Sequence, residues 1–249
     1  MFVCGRPDNG LTNKEQTERV LYNELLHISI MRKTIYLLLV SSMAVVGLGS
    51  CKNNRTVNKT GEAMMAVVSD KKADTLKIDL ANSSIQWQGY KPGGQHNGDL
   101  KLKSGEVYIV PADSSLVGGR FVMDMNTINC LDLDEKGGKG KLEAHLKSAD
   151  FFDVAKYPEG IFEITSVEQL PEEGCFRVTG NLTLKETTLS IAFEIRAQRD
   201  GKVFAAASDS ITLDRTLWGV NYGSKNVFKN LKDNLIDENI DIQVNLVTE

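Results

Sequence analysis

The sequence predicts an all-β fold, one antiparallel sheet closed into an eight-stranded barrel, and three observations carry that prediction. From about residue 74 onward, apolar and polar side chains alternate in short runs, the signature of strands with one buried face. Turn residues separate the runs: Pro92 with Gly93 and Gly94, Pro111 with Asp113, Gly137 with Gly138, Pro171 with Gly174, and Asp200 with Gly201. Helical periodicity is scarce, so about eight strands must satisfy their own edges, and closing the sheet does so.

Ahead of the barrel the chain changes character twice. Residues 1–30 are polar and charged without a clear period, and they precede Met31. They are expected to be an upstream extension of the gene model. Residues 31–50 carry Arg32 and Lys33, an apolar stretch over about residues 35–46, then Leu48, Gly49 and Ser50 before Cys51. This is the layout of a secretory signal, with an apolar core shorter than the ~20 residues of a membrane span. Small residues in front of Cys51 make a lipoprotein signal box, in which the thiol accepts a diacylglycerol group. Acyl chains contribute about 0.8 kcal/mol per buried CH₂, so two or three of them hold a protein stably. An ordinary signal peptide with an accidental cysteine is the alternative. Residues 51–73 are polar apart from a short apolar patch at 64–68, and are expected to form a flexible tether. A chain of ~20 residues reaches roughly 25 Å.

The barrel is expected over residues 74–249. Leu76, Ile78 and Leu80 alternate with Lys77 and Asp79. Ile85, Trp87 and Gly89 alternate with Gln86 and Gln88, and Leu100 and Leu102 sit between Lys101 and Lys103. Phe121, Met123 and Met125 alternate with Val122, Asp124 and Asn126. Further on, Phe176, Val178, Gly180, Leu182 and Leu184 oppose Arg177, Thr179, Asn181, Thr183 and Lys185. Leu189, Ile191, Phe193 and Ile195 oppose Ser190, Glu194 and Arg196; Ile240, Ile242, Val244 and Leu246 oppose Asp241, Gln243 and Asn245. Asp200 and Gly201, between two apolar runs, read as a tight hairpin. One or two short helices are expected: residues 141–148, with Leu142, His145 and Leu146 on one face, and residues 226–236, with Val227, Leu231 and Leu235 spaced by four.

Composition narrows the function. A net charge of −4 and a pI of about 5.5 argue against nucleic acid, whose recognition needs a basic face. The 3 histidines, His27, His96 and His145, and the 4 cysteines, Cys4, Cys51, Cys130 and Cys175, form no C-x-x-C or H-E-x-x-H spacing, so neither a metal site nor a cofactor is expected. General acid–base work by His145 would need a reacting group within ~3 Å, and no G-x-S-x-G supplies one. A structural bond from His145 to Asp150 or Asp153 is the favoured reading.

Residues 145–164, HLKSADFFDVAKYPEGIFEI, resemble the signature of the YceI-like family, H-L-x-S-x-D-F-F-D followed by Y-P and an apolar strand. The matches are His145, Leu146, Ser148, Asp150, Phe151, Phe152, Asp153, Tyr157, Pro158 and Phe162. GNLTLKETTLSIAF at 180–193 is similar to the family's G-x-L-T-L-x-G-x-T segment, and LDRTLWGV at 213–220 to its I-D-R-x-x-F/W-G-V segment. The resemblance covers roughly residues 76–247. It departs at Leu142 and Glu143, where the family often has Arg-Asp, and at Glu186, where it usually has glycine, which implies a different turn there. The resemblance implies an eight-stranded lipocalin-like barrel with a long apolar cavity, binding of polyisoprenoid chains or related amphiphiles, and no established catalytic activity.

An eight-stranded barrel either fills its interior with side chains or holds one small ligand. Trp87, Phe121, Met123, Met125, Phe162, Phe176, Phe193 and Trp218 are the candidate cavity-lining residues, methionine being suited to a wall that adapts to a flexible chain. Phe151 and Phe152 read as a plug in preference to a gate, and residues 136–141 as a mobile lid or a plain turn. Asp214 and Arg215 read as a structural ion pair in preference to a contact for a ligand head group. Cys130 and Cys175 could pair in an oxidising compartment, although alternation puts Cys175 on the polar face.

The function expected is non-enzymatic binding, transport or sequestration of a long apolar ligand, an isoprenoid or other lipid, in the bacterial cell envelope. The protein would be a periplasmic or outer-membrane lipoprotein anchored through Cys51; a homodimer is left open. The alternative is a structural or interaction module of the envelope with a packed, ligand-free barrel. A third reading, an enzyme acting on a bound lipid, predicts loss of activity on His145→Ala.

Overall fold

The computed structural model describes residues 56–65, 72–113, 115–225 and 235–249. The leader, Cys51 and most of the expected helix at 226–236 lie outside the described residues. Eleven strands, β1 (Thr60–Glu62), β2 (Asp74–Lys77), β3 (Ser84–Lys91), β4 (Gly94–Ile109), β5 (Leu116–Cys130), β6 (Glu159–Gln169), β7 (Cys175–Leu184), β8 (Thr187–Asp200), β9 (Val203–Ser208), β10 (Ile211–Asp214) and β11 (Asn239–Val247), are accompanied by a helix α1 (Lys139–Lys147) and a 3-10 turn (Arg215–Trp218).

Each strand from β3 to β8 pairs antiparallel with the next. β8 then pairs with β9, both β9 and β10 pair with β11, and β11 pairs back onto β3. β9 and β10 are two halves of one stave broken at Asp209 and Ser210, so the closed barrel has eight staves. β2 lies alongside the end of β4, through Asp74 to Ile109 and Lys77 to Glu106.

Turn chemistry explains the hairpins. Lys91 pairs with Gly94 across Pro92 and Gly93, and Gly93 takes the positive φ of 77° that the turn needs. The β8–β9 hairpin closes over Gly201 and Lys202, as the Asp-Gly signal predicts. In the β7–β8 hairpin Leu184 pairs with Thr187, and Lys185 carries the left-handed φ of 53°, so position 186 holds glutamate without strain. Lys185 is held there by its own ammonium, which donates to the carbonyls of Phe151 (3.2 Å) and Gly219 (3.3 Å).

Register shifts between Asp99 and Lys101, and between Leu102 and Ser104, bend the long β4–β5 ladder enough to curl the sheet. Two glycines let aromatic rings lie flat on the wall. A methyl at Gly98 would collide with the Trp87 ring and the Asn129 carbonyl, and one at Gly180 with the Phe162 ring and the Glu163 carbonyl.

Several expectations need correction. The alternation over Leu76, Ile78 and Leu80 does not make one strand to Leu80: β2 ends at Lys77. Asp79 turns the chain by accepting from the amides of Ala81 (3.0 Å) and Asn82 (3.1 Å), leaving Leu80 41% exposed. Asp214 and Arg215 do not pair; the Asp214 carboxylate caps the 3-10 turn by accepting from the Thr216 amide and hydroxyl. Cys130 and Cys175 are both buried and both free. Cys175, placed on the polar face by alternation, is buried at the start of β7. Part of the stretch read as a tether, residues 58–62, is bonded into the barrel wall.

Candidate functional site

The apolar alternation converges on the barrel interior without filling it. A cavity of about 250 Å³ runs inside the barrel, floored by Val107, Leu116, Val178 and Phe204, with Met123, Met125 and Phe162 among its walls. An apolar cavity of roughly 150 Å³ stays dry and takes up benzene, so this one has room for more than a single ring. It is near the lower edge of small-molecule pockets, which start at about 300 Å³. That size suits a chain lying along the barrel, and the two methionines give the wall some adjustability.

Six of the eight nominated residues, Trp87, Phe121, Met123, Met125, Phe162 and Phe193, border the cavity. Trp218 and Phe176 do not. Trp218 is 1% exposed, packed into the core from the 3-10 turn of the cap, its indole N–H donating to the Leu182 carbonyl at 2.9 Å. Phe176 stands opposite Ile195 at the start of β7 and is not among the residues that border the cavity. The cavity also meets residues that were not nominated: Ile128, Ile211 and Leu213 from strands, and Leu142 and Leu146 from α1. The i, i+4 spacing of Leu142 and Leu146 carried that signal. Ile211 and Leu213 alternate on too short a run to stand out.

One end of the barrel is capped by α1, the loop carrying Phe151 and Phe152, and the 3-10 turn. Arg215 organises this cap and borders the cavity. It is 2% exposed, and its guanidinium donates to the carbonyls of Val220, Asp237 (3.0 Å), Tyr222 (2.8 Å) and Ile236 (3.2 Å). Burial pulls this guanidinium below its ordinary pKa, opposed by Glu238, Asp214 and Asp237. The Phe151 ring lies 5.5 Å from it. His145 stands edge-on to Phe151 and Tyr222, with ring centroids 5.1 and 4.5 Å away, and its Nε2 is 3.9 Å from Asp150. Phe151 and Phe152 both border the cavity at this end, and Phe151 is buried.

A second polar cluster trims the rim. Asp132 accepts from the Asn97 amide (2.9 Å) and the Cys130 thiol (3.2 Å) and lies 2.8 Å from His96 Nδ1. Burial opposes its charge, but these bonds outweigh burial and hold its carboxyl below the usual range. Burial, followed by the bond to Asp132, pushes the Cys130 thiol up. The Cys130 amide donates to Glu143 at 2.8 Å, tying α1 to β5. Glu143 and Leu142, two of the three departures from the family pattern, thus brace the cap and line the cavity, respectively. Among the described residues no group of three or more His, Cys, Asp or Glu is placed to hold a metal ion.

Comparison with known proteins gives a consistent picture. The family model described as the YceI-like domain matches residues 76–248. Curated relatives called Protein YceI, from Salmonella arizonae and Salmonella newport, are 36% identical over 75 residues, 30% of this chain and 37% of theirs. The chain therefore matches little more than a third of the length of these relatives. BcnA of Burkholderia cenocepacia superposes with a TM-score of 0.56 at 18% identity, over 69% of this chain and 99% of that one. A polyisoprenoid binding domain from Saccharophagus degradans, implicated in plant cell wall breakdown, gives 0.53 at 14% identity, over 72% and 99%. At these identities the likeness is one of fold.

Proposed function

Because the chain belongs to the YceI-like domain family, we propose that it binds the apolar chain of a lipid or isoprenoid inside its barrel, without catalysing a reaction on it. The observation that carries this reading is the cavity: a barrel acting only as a scaffold has no need of empty, apolar space along its axis. Packing densities in protein interiors leave few voids larger than a water molecule. Each methylene moved from water into such a space contributes about 0.8 kcal/mol, so a chain of ordinary lipid length binds without specialised chemistry. A structural relative that is a polyisoprenoid binding domain supports the same reading.

The biological setting we propose is the bacterial cell envelope, with the protein held by a lipidated Cys51 and sequestering or carrying its ligand near a membrane. The order of positive residues, apolar run and small residues before Cys51 supports it. Lipid extraction and mass analysis of gently purified protein tests the binding reading. A long-chain lipid recovered in near-stoichiometric amount is expected. Protein that carries no lipid and takes up no apolar probe would overturn it in favour of the packed structural module.

A further inference from the structure

The barrel wall has a seam. β8 pairs with β9 only from Ile195 to Asp200, and β9 ends at Ser208. There the Ser208 hydroxyl accepts from the Val244 amide at 3.0 Å. Beyond the break, β10 runs against β11, and among the described residues no ladder joins it to β8. Both sides of this gap face the cavity: Ile191 and Phe193 from β8, Ile211 and Leu213 from β10.

Residues 58–62 fill the gap as a strap. Thr60, Gly61 and Glu62 pair with Ile191, Ser190 and Leu189. Asn58 holds both sides at once. Its amide donates to the Thr212 carbonyl (2.8 Å), its side-chain oxygen accepts from the Thr212 amide (2.8 Å), and its side-chain nitrogen donates to the Ala192 carbonyl (2.9 Å). Past the strand, Met64 exchanges two bonds with the Asn181 side chain. Yet none of residues 56–65 is buried, whereas the cap is built on the buried Phe151, Arg215 and Trp218. Elements with few buried apolar contacts open at the lowest free-energy cost.

We infer that the seam between β8 and β10 is a lateral portal to the cavity, and that residues 58–62 are its removable gate. This rests on the binding reading above and adds the route of entry. Lifting the strap opens a slit lined by apolar side chains while the cap and floor stay in place. Such a slit admits a flexible chain sideways and lets a polar head remain in water, so it suits a chain-type amphiphile better than a rigid polycycle.

Locking the strap tests this. Gly61 and Ser190 are directly paired, a spacing compatible with a disulfide, and a side chain at Gly61 meets open space. The full-length Gly61→Cys, Ser190→Cys double variant, oxidised or reduced, would be mixed in stopped flow with the apolar fluorophore N-phenyl-1-naphthylamine. Oxidation is expected to slow uptake at least tenfold and to change the equilibrium affinity less than twofold. Asn58→Ala, which needs no cross-link, is expected to accelerate uptake severalfold. Equal rates in the oxidised and reduced forms, or an unchanged rate in Asn58→Ala, would overturn the portal while leaving the binding reading intact. A wild-type chain that takes up no probe at any concentration would overturn the binding reading itself.

Discussion

Arg215 and Asn58 each hold separate pieces of the barrel together, and the chain surrounds them very differently. Arg215 draws four carbonyls onto a guanidinium buried in the cap, with the Phe151 ring 5.5 Å away. Asn58 spans the seam with bonds of similar length, but from a half-buried position on a strap with no buried residue. Equal bond lengths therefore do not mean equal strength. A bond lost in the interior strands its partners without water, whereas one lost at the surface is replaced by water. The same barrel has a permanent closure at its end and a light one in its side.

Removing the anchor of the strong closure should have the largest effect. Arg215→Met leaves the carbonyls of Val220, Tyr222, Ile236 and Asp237 without their donor, and should lower the unfolding free energy by about 3–5 kcal/mol. Urea denaturation measures this, and a loss below about 1 kcal/mol would erase the contrast with the seam. Lys185→Met removes two bonds from the more exposed side of the cap and should cost about 1–2 kcal/mol by the same measurement.

Asn58→Ala should cost less than about 1 kcal/mol globally. Its effect should instead be local: the Thr212 amide, which donates to Asn58, should exchange with solvent markedly faster while the amides around Arg215 keep their protection. Uniform acceleration across the barrel would mean that the strap is not a separate unit.

The smallest effect concerns the rim. Asp132 titrates below the unfolded value of about 3.9. Its contribution to stability is therefore complete above that value and is lost as the pH falls through the lower, folded one. Wild-type protein should lose more of its urea resistance between about pH 5 and pH 2 than Asp132→Asn does. Identical acid profiles would show that the bonds from Asn97, His96 and Cys130 add nothing to the rim.

How much of this was legible depends on what each residue does. Barrel strands such as β7 and β8 announce themselves, because long, regular alternation arises where one face of a strand is wet and the other dry. The short runs do not: β10 has four residues and β1 three. The strap escaped notice because residues 58–62 carry no apolar pattern; its attachment lies in backbone pairing and one asparagine. Large side chains that sit mid-strand, such as Phe121 and Met123, stand on the cavity wall where alternation points them. Trp218 was misplaced because it stands on a 3-10 turn, where strand alternation says nothing about direction. The Asp214–Arg215 reading failed because adjacent residues in such a turn diverge, one to its cap and the other into the loop beyond.

The two tryptophans offer the most direct test of the central claim, that the barrel holds an apolar chain. Trp87 borders the cavity, whereas Trp218 is buried in the cap and does not border it. Titrating a long-chain isoprenoid alcohol into Trp218→Phe, which reports Trp87 alone, should produce a saturable shift of the emission, and Trp87→Phe should show little change. No saturable response at Trp87, or an equal response from both tryptophans, would contradict the account.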